Sequence, residues 1–512
     1  MKRNAAWKGE LQRGGVDKPR FRLWLWLALV SALLLSGPFL GSAQAGRDPL
    51  LEVLIKKGIL TAEEAAQIEK EARALERVRE QQVEQKVKAA ESKVVEQVDK
   101  KLAAVDQKVE KKAEAWKVPE ALKGLKVGTL AYIDYSTGSR PIANGRSTGF
   151  NQWTIGRGYL NVQKEITPWL HVRYTPDLTL DANGDWKLRQ KYVYAEFRPP
   201  NLGNYLTHMK CELGLGHIPW LDFEEHINPY RCQGTMAVER AGVFNSADLG
   251  LNIRGYFGGR LPEAKKRVGD DHYDGLYGSW HVGLYNGGGY HAPERNHNKV
   301  IEYRVTVRPL PQHLPGLQAS YFGLYGKGNS SSAANFANQG MYDYFPDWLV
   351  HLGMLSFQHP RIILTAQMFA TKGNQAGNWT TTPGIPGKPI GQRANSLWTR
   401  GYSVFADLKL PLKIFDEERL HVFYRTDWFN ADQDQVISKS ARYTKLITGV
   451  ACYIYKKNFI TLGYEKTWYG RDYGRIGGTG FNGTSARVAS PASNGTRLGQ
   501  DDRFQTVYQI SF

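Results

Sequence analysis

From Leu125 to the end of the chain, apolar and polar residues alternate at every second position. In the first such segment Val127 and Ile133 fall on one face, and Tyr132 and Asp134 fall on the other. Successive side chains of a strand point to opposite faces, so this alternation predicts strands with one apolar and one polar face. Sixteen segments of this kind begin near residues 125, 152, 169, 188, 206, 248, 276, 299, 316, 347, 361, 399, 419, 443, 458 and 502.

The connections between these segments alternate in length. Tight turns lie at 166–168, 358–360 and 456–458, and long loops at 217–245, 327–346, 373–398 and 469–501. This alternation is typical of outer-membrane barrels, where lipid covers the apolar face and water wets the polar one. The pattern predicts an all-β transmembrane β-barrel of about 16 antiparallel strands over residues 121–512. A soluble β-sandwich or propeller is the alternative, and the connection 260–274 is too long for its expected periplasmic side.

The last segment alternates apolar and polar residues and ends on an aromatic one. Tyr508, Ile510 and Phe512 share its apolar face. A soluble domain has no reason to finish on an exposed aromatic strand, whereas a barrel needs a last strand to close its edge. These three residues are therefore predicted to form the assembly signal that the barrel-assembly machinery reads.

The first 45 residues have the pattern of an export signal. Basic residues up to Arg22 precede the apolar run 23–40, and small residues follow it as far as Ala45. This order predicts a secretory signal peptide, residues 1–45, cleaved after Ala45. The alternative is an uncleaved membrane anchor, because the apolar run is almost long enough to span a bilayer.

Between residues 46 and 120, apolar residues recur with the spacing of a helix instead of alternating with polar ones. Residues 46–76 are predicted to form a short helical hairpin: Gly58 would end the first helix, and Thr61 with Glu64 would open the second as a capping box. Over residues 77–120, valines recur every eleven residues, at Val83, Val94 and Val105, each with another valine four residues later.

An eleven-residue repeat corresponds to 3.67 residues per turn and predicts a gently right-handed coiled coil. Its valine stripe is too narrow to bury enough surface alone, so the coiled coil would make the protein an oligomer. The alternative is a single charged helix held by pairs such as Glu96 with Lys100, although Glu110 and Glu114 would repel each other at the same spacing.

The chain has a formal net charge of +18, about two thirds of it after residue 124. A positive net charge would suit binding to nucleic acid. The export signal argues against this partner, because exported proteins seldom meet nucleic acid. Three cysteines without C-x-x-C spacing predict neither a disulfide framework nor a metal site. A bridge from Cys211 to Cys232 is conceivable, yet Cys211 falls on an outward face, which favours free thiols.

Several short motifs around the third long loop resemble the phosphate-selective porin O/P family. They are Gly214-Leu215-Gly216-His217-Ile218-Pro219-Trp220, Phe223-Glu224-Glu225, Val238-Glu239-Arg240 and Asp248-Leu249-Gly250. The resemblance covers this loop and its flanking strands. It implies a trimeric, sixteen-stranded outer-membrane channel whose third long loop folds into the lumen.

Basic residues on the inward faces are the candidate channel-lining and anion-interacting groups. By strand parity and loop position they are Arg157, Arg173, Lys210, Arg231, Arg240, Arg254, Arg304, Arg308 and Arg425. Guanidinium groups stay charged and present forked donors to oxyanions, so a ring of them favours anion entry. They could instead pair with inward carboxylates and only brace the wall; these are Asp134, Asp177, Glu196, Glu212, Glu302 and Asp427. Both interpretations stay open from the sequence.

The predicted function is an outer-membrane porin for passive diffusion of small hydrophilic solutes, with a weak anion preference and phosphate as a candidate. The alternative is a structural envelope protein whose barrel anchors a periplasmic coiled coil to the cell wall. No catalytic motif is present, and His217 and His226 are interpreted as ordinary loop residues, so no catalytic residue, cofactor or metal is predicted. Expected partners are two further copies in a homotrimer, outer-membrane lipid, peptidoglycan through the helical segment, and small anions, but no nucleic acid.

Overall fold

A computed structural model describes residues 49–115, 122–142, 145–181, 183–290, 292–330, 345–380, 395–414, 417–436, 439–471, 473 and 497–512. Two compact units make up the chain, residues 1–117 and residues 118–512. The predicted signal peptide, residues 1–45, lies outside the described residues.

The first unit contains two helices, α1 (Pro49–Lys56) and α2 (Ala62–Ala115). Gly58 has a φ of +70° after α1, and the predicted capping box forms: the Glu64 N–H donates to Thr61 Oγ1 at 3.3 Å and the Thr61 N–H donates to Glu64 Oε2 at 2.9 Å. The second short helix of the predicted hairpin is instead the start of a 54-residue helix. The reason is that no Gly or Pro interrupts this stretch.

The surface of α2 is charged, with an exposed valine stripe. Lys88 and Lys100 pair with glutamates one turn earlier at 2.6 and 2.9 Å, whereas Val94 keeps 60% of its surface exposed. A coiled coil over residues 77–120 stays a prediction, and the side chains of residues 102–121 lie outside those described. Among the described helices, none is long and apolar enough to cross a membrane.

The second unit is built of antiparallel strands because its sequence alternates with period two. The strands are β1 (Leu125–Pro141), β2 (Ser147–Thr167), β3 (Leu170–Leu180), β4 (Trp186–Phe197), β5 (Leu206–His217), β6 (Ala247–Phe257), β7 (Gly278–Tyr285), β8 (Val300–Val307), β9 (Leu317–Lys327), β10 (Asp347–His359), β11 (Ile362–Lys372), β12 (Trp398–Lys409), β13 (Lys413–Ile414), β14 (Glu417–Glu418), β15 (Leu420–Asn430), β16 (Arg442–Tyr455), β17 (Asn458–Tyr469) and β18 (Asp501–Ser511). Three short helices accompany them, α3 (Leu221–Ile227), α4 (Ala237–Arg240) and α5 (Ala264–Val268).

Within the described residues, sixteen of these strands close a barrel in chain order, and β13 and β14 form a separate two-residue hairpin. The predicted fold class is confirmed. β18 pairs with β1 from Leu130 opposite Ser511 to Ser139 opposite Asp502, so the predicted closing strand does close the barrel. The long connection between β6 and β7 holds the short helix α5 and an isolated bridge rather than a further strand pair.

The barrel has an apolar outer face and a largely covered inner face. Leu213, Leu355 and Leu462 each expose more than half of their surface outward, whereas Asp134 and Glu212 on inward positions are buried. Exposed aromatic residues stand beside the turns at one end: Trp169, Tyr205 and Tyr277. An apolar band bordered by aromatic rings is the surface that a bilayer requires.

Candidate functional site in the barrel lumen

The connection between β5 and β6, residues 218–246, folds into the barrel and is called the luminal loop here. Tyr230 Oη donates to Asp407 Oδ1 on β12 at 2.9 Å, and Arg240 pairs with Glu465 on β17 at 3.2 Å. These strands lie on the far side of the ring from β5 and β6. The loop therefore crosses the lumen, which confirms the expectation that the third long loop folds inside.

Apolar packing holds the luminal loop against the wall. Trp220, Phe223 and Val238 are buried in one cluster with inward residues of the wall, which include Phe322, Trp348, Val350, Phe369 and Phe429. The expectation of polar inward faces is wrong at these wall positions. The reason is that the loop, and not water, covers them; burying one such side chain contributes about 1.5 to 3 kcal/mol.

The motif that opens the luminal loop is shaped by close backbone contacts. Gly214 has a φ of +130°, and a Cβ there would lie 2.4 Å from the carbonyl oxygen of Val193. Three residues later the His217 ring Nδ1 lies 3.0 Å from Glu212 Oε1. Trp220 Nε1 donates to Glu224 Oε2 at 2.7 Å, and burial raises the pKa of the Glu224 carboxyl to about 7 although Arg425 opposes this.

An ion-pair network lies inside the loop itself. Arg231 Nε lies 3.0 Å from Glu225 Oε1, and Arg231 Nη2 donates to Glu239 Oε1 at 2.9 Å. Burial alone would raise the pKa of Glu239, but the charge and hydrogen bond of Arg231, together with the charges of Lys191 and Arg157, hold that pKa below its ordinary value. Arg157 on β2 adds a longer contact, 3.9 Å to Glu225.

A second network fixes the loop to the far wall. Glu465 forms ion pairs with Arg240 at 3.2 Å, Lys445 at 2.5 Å and Arg503 at 3.0 Å. All four side chains are buried. Nearby, Arg425 pairs with Asp427 and donates through Nη1 to the carbonyl oxygen of loop residue Thr235 at 2.8 Å. Charges on this wall hold the loop in place.

The predicted basic residues all reach the inner side of the wall or the loop, but in different surroundings. Six have a carboxylate within ion-pair distance: Arg157, Lys210, Arg231, Arg240, Arg254 and Arg425. No described ion pair includes the other three, which are Arg173, Arg304 and Arg308. Arg304 instead donates to the Pro219 carbonyl oxygen at 2.9 Å and stacks on Phe223, so it holds the luminal loop against the wall. Most predicted carboxylates also pair, whereas neither oxygen of buried Glu302 has a hydrogen-bond partner.

Basic groups that keep contact with water lie on β3 to β6. The side chains of Lys210, Arg189 and Arg254 are 41%, 32% and 15% exposed and Arg173 is half-buried, whereas Arg240 is 5% exposed. Strand parity missed Arg189, because the ladder between β3 and β4 shifts register between Thr175 and Pro176. Pro176 within a strand was the available signal, since proline in a sheet often marks a bulge.

The remaining predicted positions lie outside the lumen. Tyr508 is exposed on the barrel wall, and Phe512 exposes 80% of its surface while its carbonyl oxygen accepts the Thr129 N–H at 3.1 Å. Ile510 pairs opposite Ala131 of β1. Their part in assembly stays a prediction. Cys211, Cys232 and Cys452 are free cysteines in the structure.

The β6–β7 connection, residues 258–277, meets the luminal loop. The Tyr273 hydroxyl hydrogen-bonds to Asp222, and the Tyr273 ring packs edge-on against Phe223 with centroids 5.4 Å apart. Arg260 pairs with Asp274 at 2.9 Å and braces this connection. The β6–β7 connection is longer than a periplasmic turn because it reaches the luminal loop.

No known protein family and no curated protein matches the chain. Membership of the phosphate-selective porin O/P family is therefore not shown. Similar solved structures include the anion-selective porin from Comamonas acidovorans, with 10% identity, a TM-score of 0.44 and coverage of 76% of this chain and 100% of that one. They also include OmpF of Salmonella typhi in complex with daunomycin, with 11% identity, a TM-score of 0.46 and coverage of 76% and 97%. OccK5 of Pseudomonas aeruginosa has 11% identity, a TM-score of 0.35 and coverage of 76% and 99%. None of these TM-scores reaches 0.5.

Proposed function

We propose that this protein is a porin of the bacterial outer membrane, through which small hydrophilic solutes diffuse passively. The observation that carries the proposal is the contrast between the two faces of the closed barrel. Outward leucines such as Leu213 and Leu462 are exposed, as lipid contact requires, while the inner face carries ionised residues crossed by a loop. A soluble barrel would not expose the apolar face all round.

The solute path is proposed to run between the luminal loop and strands β3 to β6. On this wall Arg173, Arg189, Lys210 and Arg254 keep contact with water, while the far wall is covered. Guanidinium forks and an ammonium group beside a narrow passage attract anions and repel cations. A weak anion preference follows, and phosphate is a candidate solute because it matches the guanidinium fork.

Single-channel recording tests this proposal. The purified, folded protein is inserted into a planar bilayer, and conductance and reversal potential are measured across a KCl gradient. We expect discrete conductance steps and a reversal potential displaced toward that of chloride. Protein that is folded, as shown by heat-modifiable migration, and inserted but conducts nothing would contradict the porin function. A reversal potential displaced toward potassium would contradict the anion preference alone.

A second candidate function, envelope attachment, is favoured by the helix α2. Its valine stripe stays exposed in the single chain, with Val83, Val87, Val94 and Val98 each about half exposed. Such a stripe is covered when copies associate, so we propose a homotrimer whose helical segment lies in the periplasm and contacts peptidoglycan. A chain truncated to begin at Leu122 separates the two functions: conductance should persist, and co-sedimentation with peptidoglycan should be lost. Equal co-sedimentation of both chains would contradict the attachment function.

A further inference from the structure

Two histidines and an aspartate from separate parts of the barrel chain converge near the luminal loop. His226 Nδ1 lies 3.6 Å from Asp270 Oδ2, and His272 Nδ1 lies 2.7 Å from Asp270 Oδ1. One potential ligand atom from each residue lies within 4.8 Å of the others. We call these three residues the His–Asp–His cluster.

The cluster joins the two segments that meet inside the barrel. His226 lies in the last turn of α3 in the luminal loop, whereas Asp270 and His272 follow α5 in the β6–β7 connection. Other contacts also hold the two segments: the Tyr273 hydroxyl of the connection bonds to Asp222 of the luminal loop, and Arg308 Nε donates to the Gly275 carbonyl oxygen of the connection at 3.2 Å. The three side chains are thus brought together before any ion is bound.

Their chemistry suits a divalent transition-metal ion. Imidazole nitrogens and a carboxylate oxygen are ligands that zinc takes at about 2.0 to 2.2 Å, which places tetrahedral neighbours roughly 3.4 Å apart. The contact of 3.6 Å between His226 and Asp270 is close to that spacing, whereas His272 and Asp270, at 2.7 Å, are in hydrogen-bond contact and would separate slightly around an ion. The His272 side chain is 46% exposed, so ions can reach the cluster and a water molecule could complete the coordination.

We propose that the His–Asp–His cluster binds one divalent transition-metal ion of the zinc type and thereby clips the luminal loop to the β6–β7 connection. An ion held by ligands from both segments stabilises the arrangement in which they touch. The sequence alone does not reveal this site, because His226 and Asp270 are far apart in the chain and form no compact ligand motif. The proposal is independent of porin activity.

Metal titration of the full-length, folded protein tests the site. Zn²⁺ alone is titrated by calorimetry, and Co²⁺ alone is followed by its visible absorption. We expect one site per chain, with at least tenfold weaker binding in His226→Asn and in His272→Ala, as expected when a metal ligand is lost. The control is His313→Ala, an exposed histidine in the β8–β9 connection, which should bind as the wild type does.

Three results would overturn the proposal: no stoichiometric binding by the wild type, wild-type binding by His272→Ala, or equal weakening by His313→Ala. Folding of each variant is checked by heat-modifiable migration. Because His272 is half exposed, its replacement is compatible with folding even if the His226 variant fails to fold. The measurement needs no channel activity, so a failure of the metal site and a failure of the porin function are distinguishable.

Discussion

The two walls of the lumen carry similar ion pairs but differ in their access to water. On the β3–β6 wall, Arg254 pairs with Glu212 at 2.7 Å, and Lys210 beside it remains 41% exposed. On the far wall, Arg240 pairs with Glu465 at 3.2 Å, and both are buried under the luminal loop. Inward basic residues therefore fall into two classes: one keeps contact with water and can meet a solute in the proposed channel, and the other fixes the luminal loop to the wall.

The most severe test reverses charge on the loop side. Replacing Arg231 and Arg240 together with Glu places new carboxylates beside Glu239 and Glu465. Breaking a buried pair costs about 3 to 5 kcal/mol, so we expect the loop to leave the far wall. Single-channel conductance should rise, and the reversal potential should move toward cations.

The control for this variant is Lys299→Glu on an exposed loop segment, where neither quantity should change. A double variant with wild-type conductance would show that the luminal loop does not limit the passage.

Neutralising Glu465 should have the next largest effect. In Glu465→Gln the cations of Arg240, Lys445 and Arg503 lose the carboxylate they share. We expect the free energy of unfolding in detergent to fall by about 3 to 5 kcal/mol, measured by denaturant titration. Glu417→Gln is the matched control, because Glu417 is largely exposed and its pair with Arg419 is worth about 1 kcal/mol at most. Equal losses in the two variants would remove the distinction between buried and exposed pairs.

Acid should loosen the loop by a smaller amount. The pKa of Glu239 is held below its ordinary value of 4.5 by Arg231, so its stabilising contribution is present above pH 4.5 and disappears as the pH falls through the lowered native value. Hydrogen-exchange protection of residues 218–246, taken relative to the slower intrinsic exchange in acid, should therefore fall, while protection of β5 and β6 changes less. Protection of the loop that persists unchanged down to about pH 3 would contradict this.

The smallest expected effect concerns the accessible wall. Lys210→Gln removes one half-exposed positive charge, and its contact with Glu196 is long at 3.8 Å. We expect a slight shift of the reversal potential toward cations and a change in unfolding free energy below about 1 kcal/mol. Lys299→Gln, outside the lumen, should leave the reversal potential where it is. A shift in Lys299→Gln without one in Lys210→Gln would place the selective wall elsewhere.

Strand positions were predictable from the sequence because alternation is a local property. β5, β9, β10 and β17 begin within one residue of the predicted starts, and only β2 begins clearly earlier, at Ser147 rather than near 152. The same local pattern placed Arg157, Arg254 and Arg304 on the inner side. The local pattern could not predict which carboxylate pairs with each basic residue, because these partners lie on other strands or on the luminal loop.

The errors share a non-local cause. Phe322 and Trp348 face inward because a loop a hundred residues earlier in the chain covers them, which no window of sequence around either residue reveals. Arg189 was missed because a register shift at Thr175 and Pro176 changes the phase of β4. His226 was treated as an ordinary loop residue because Asp270 and His272 approach it only in the folded barrel.

The reach of the luminal loop also constrains the order in which the protein can fold. Tyr230 bonds to Asp407, Arg240 to Glu465 and Gln233 to Gln505, contacts that span 177, 225 and 272 residues of chain. Contacts of such separation form late, because the long intervening chain must first be ordered. The loop thus has no far wall to dock on until β12, β17 and β18 are in place. Narrowing of the passage is then tied to the same late step that seals the barrel, and a nascent barrel that stalls before its last strand would hold a wide, unobstructed lumen.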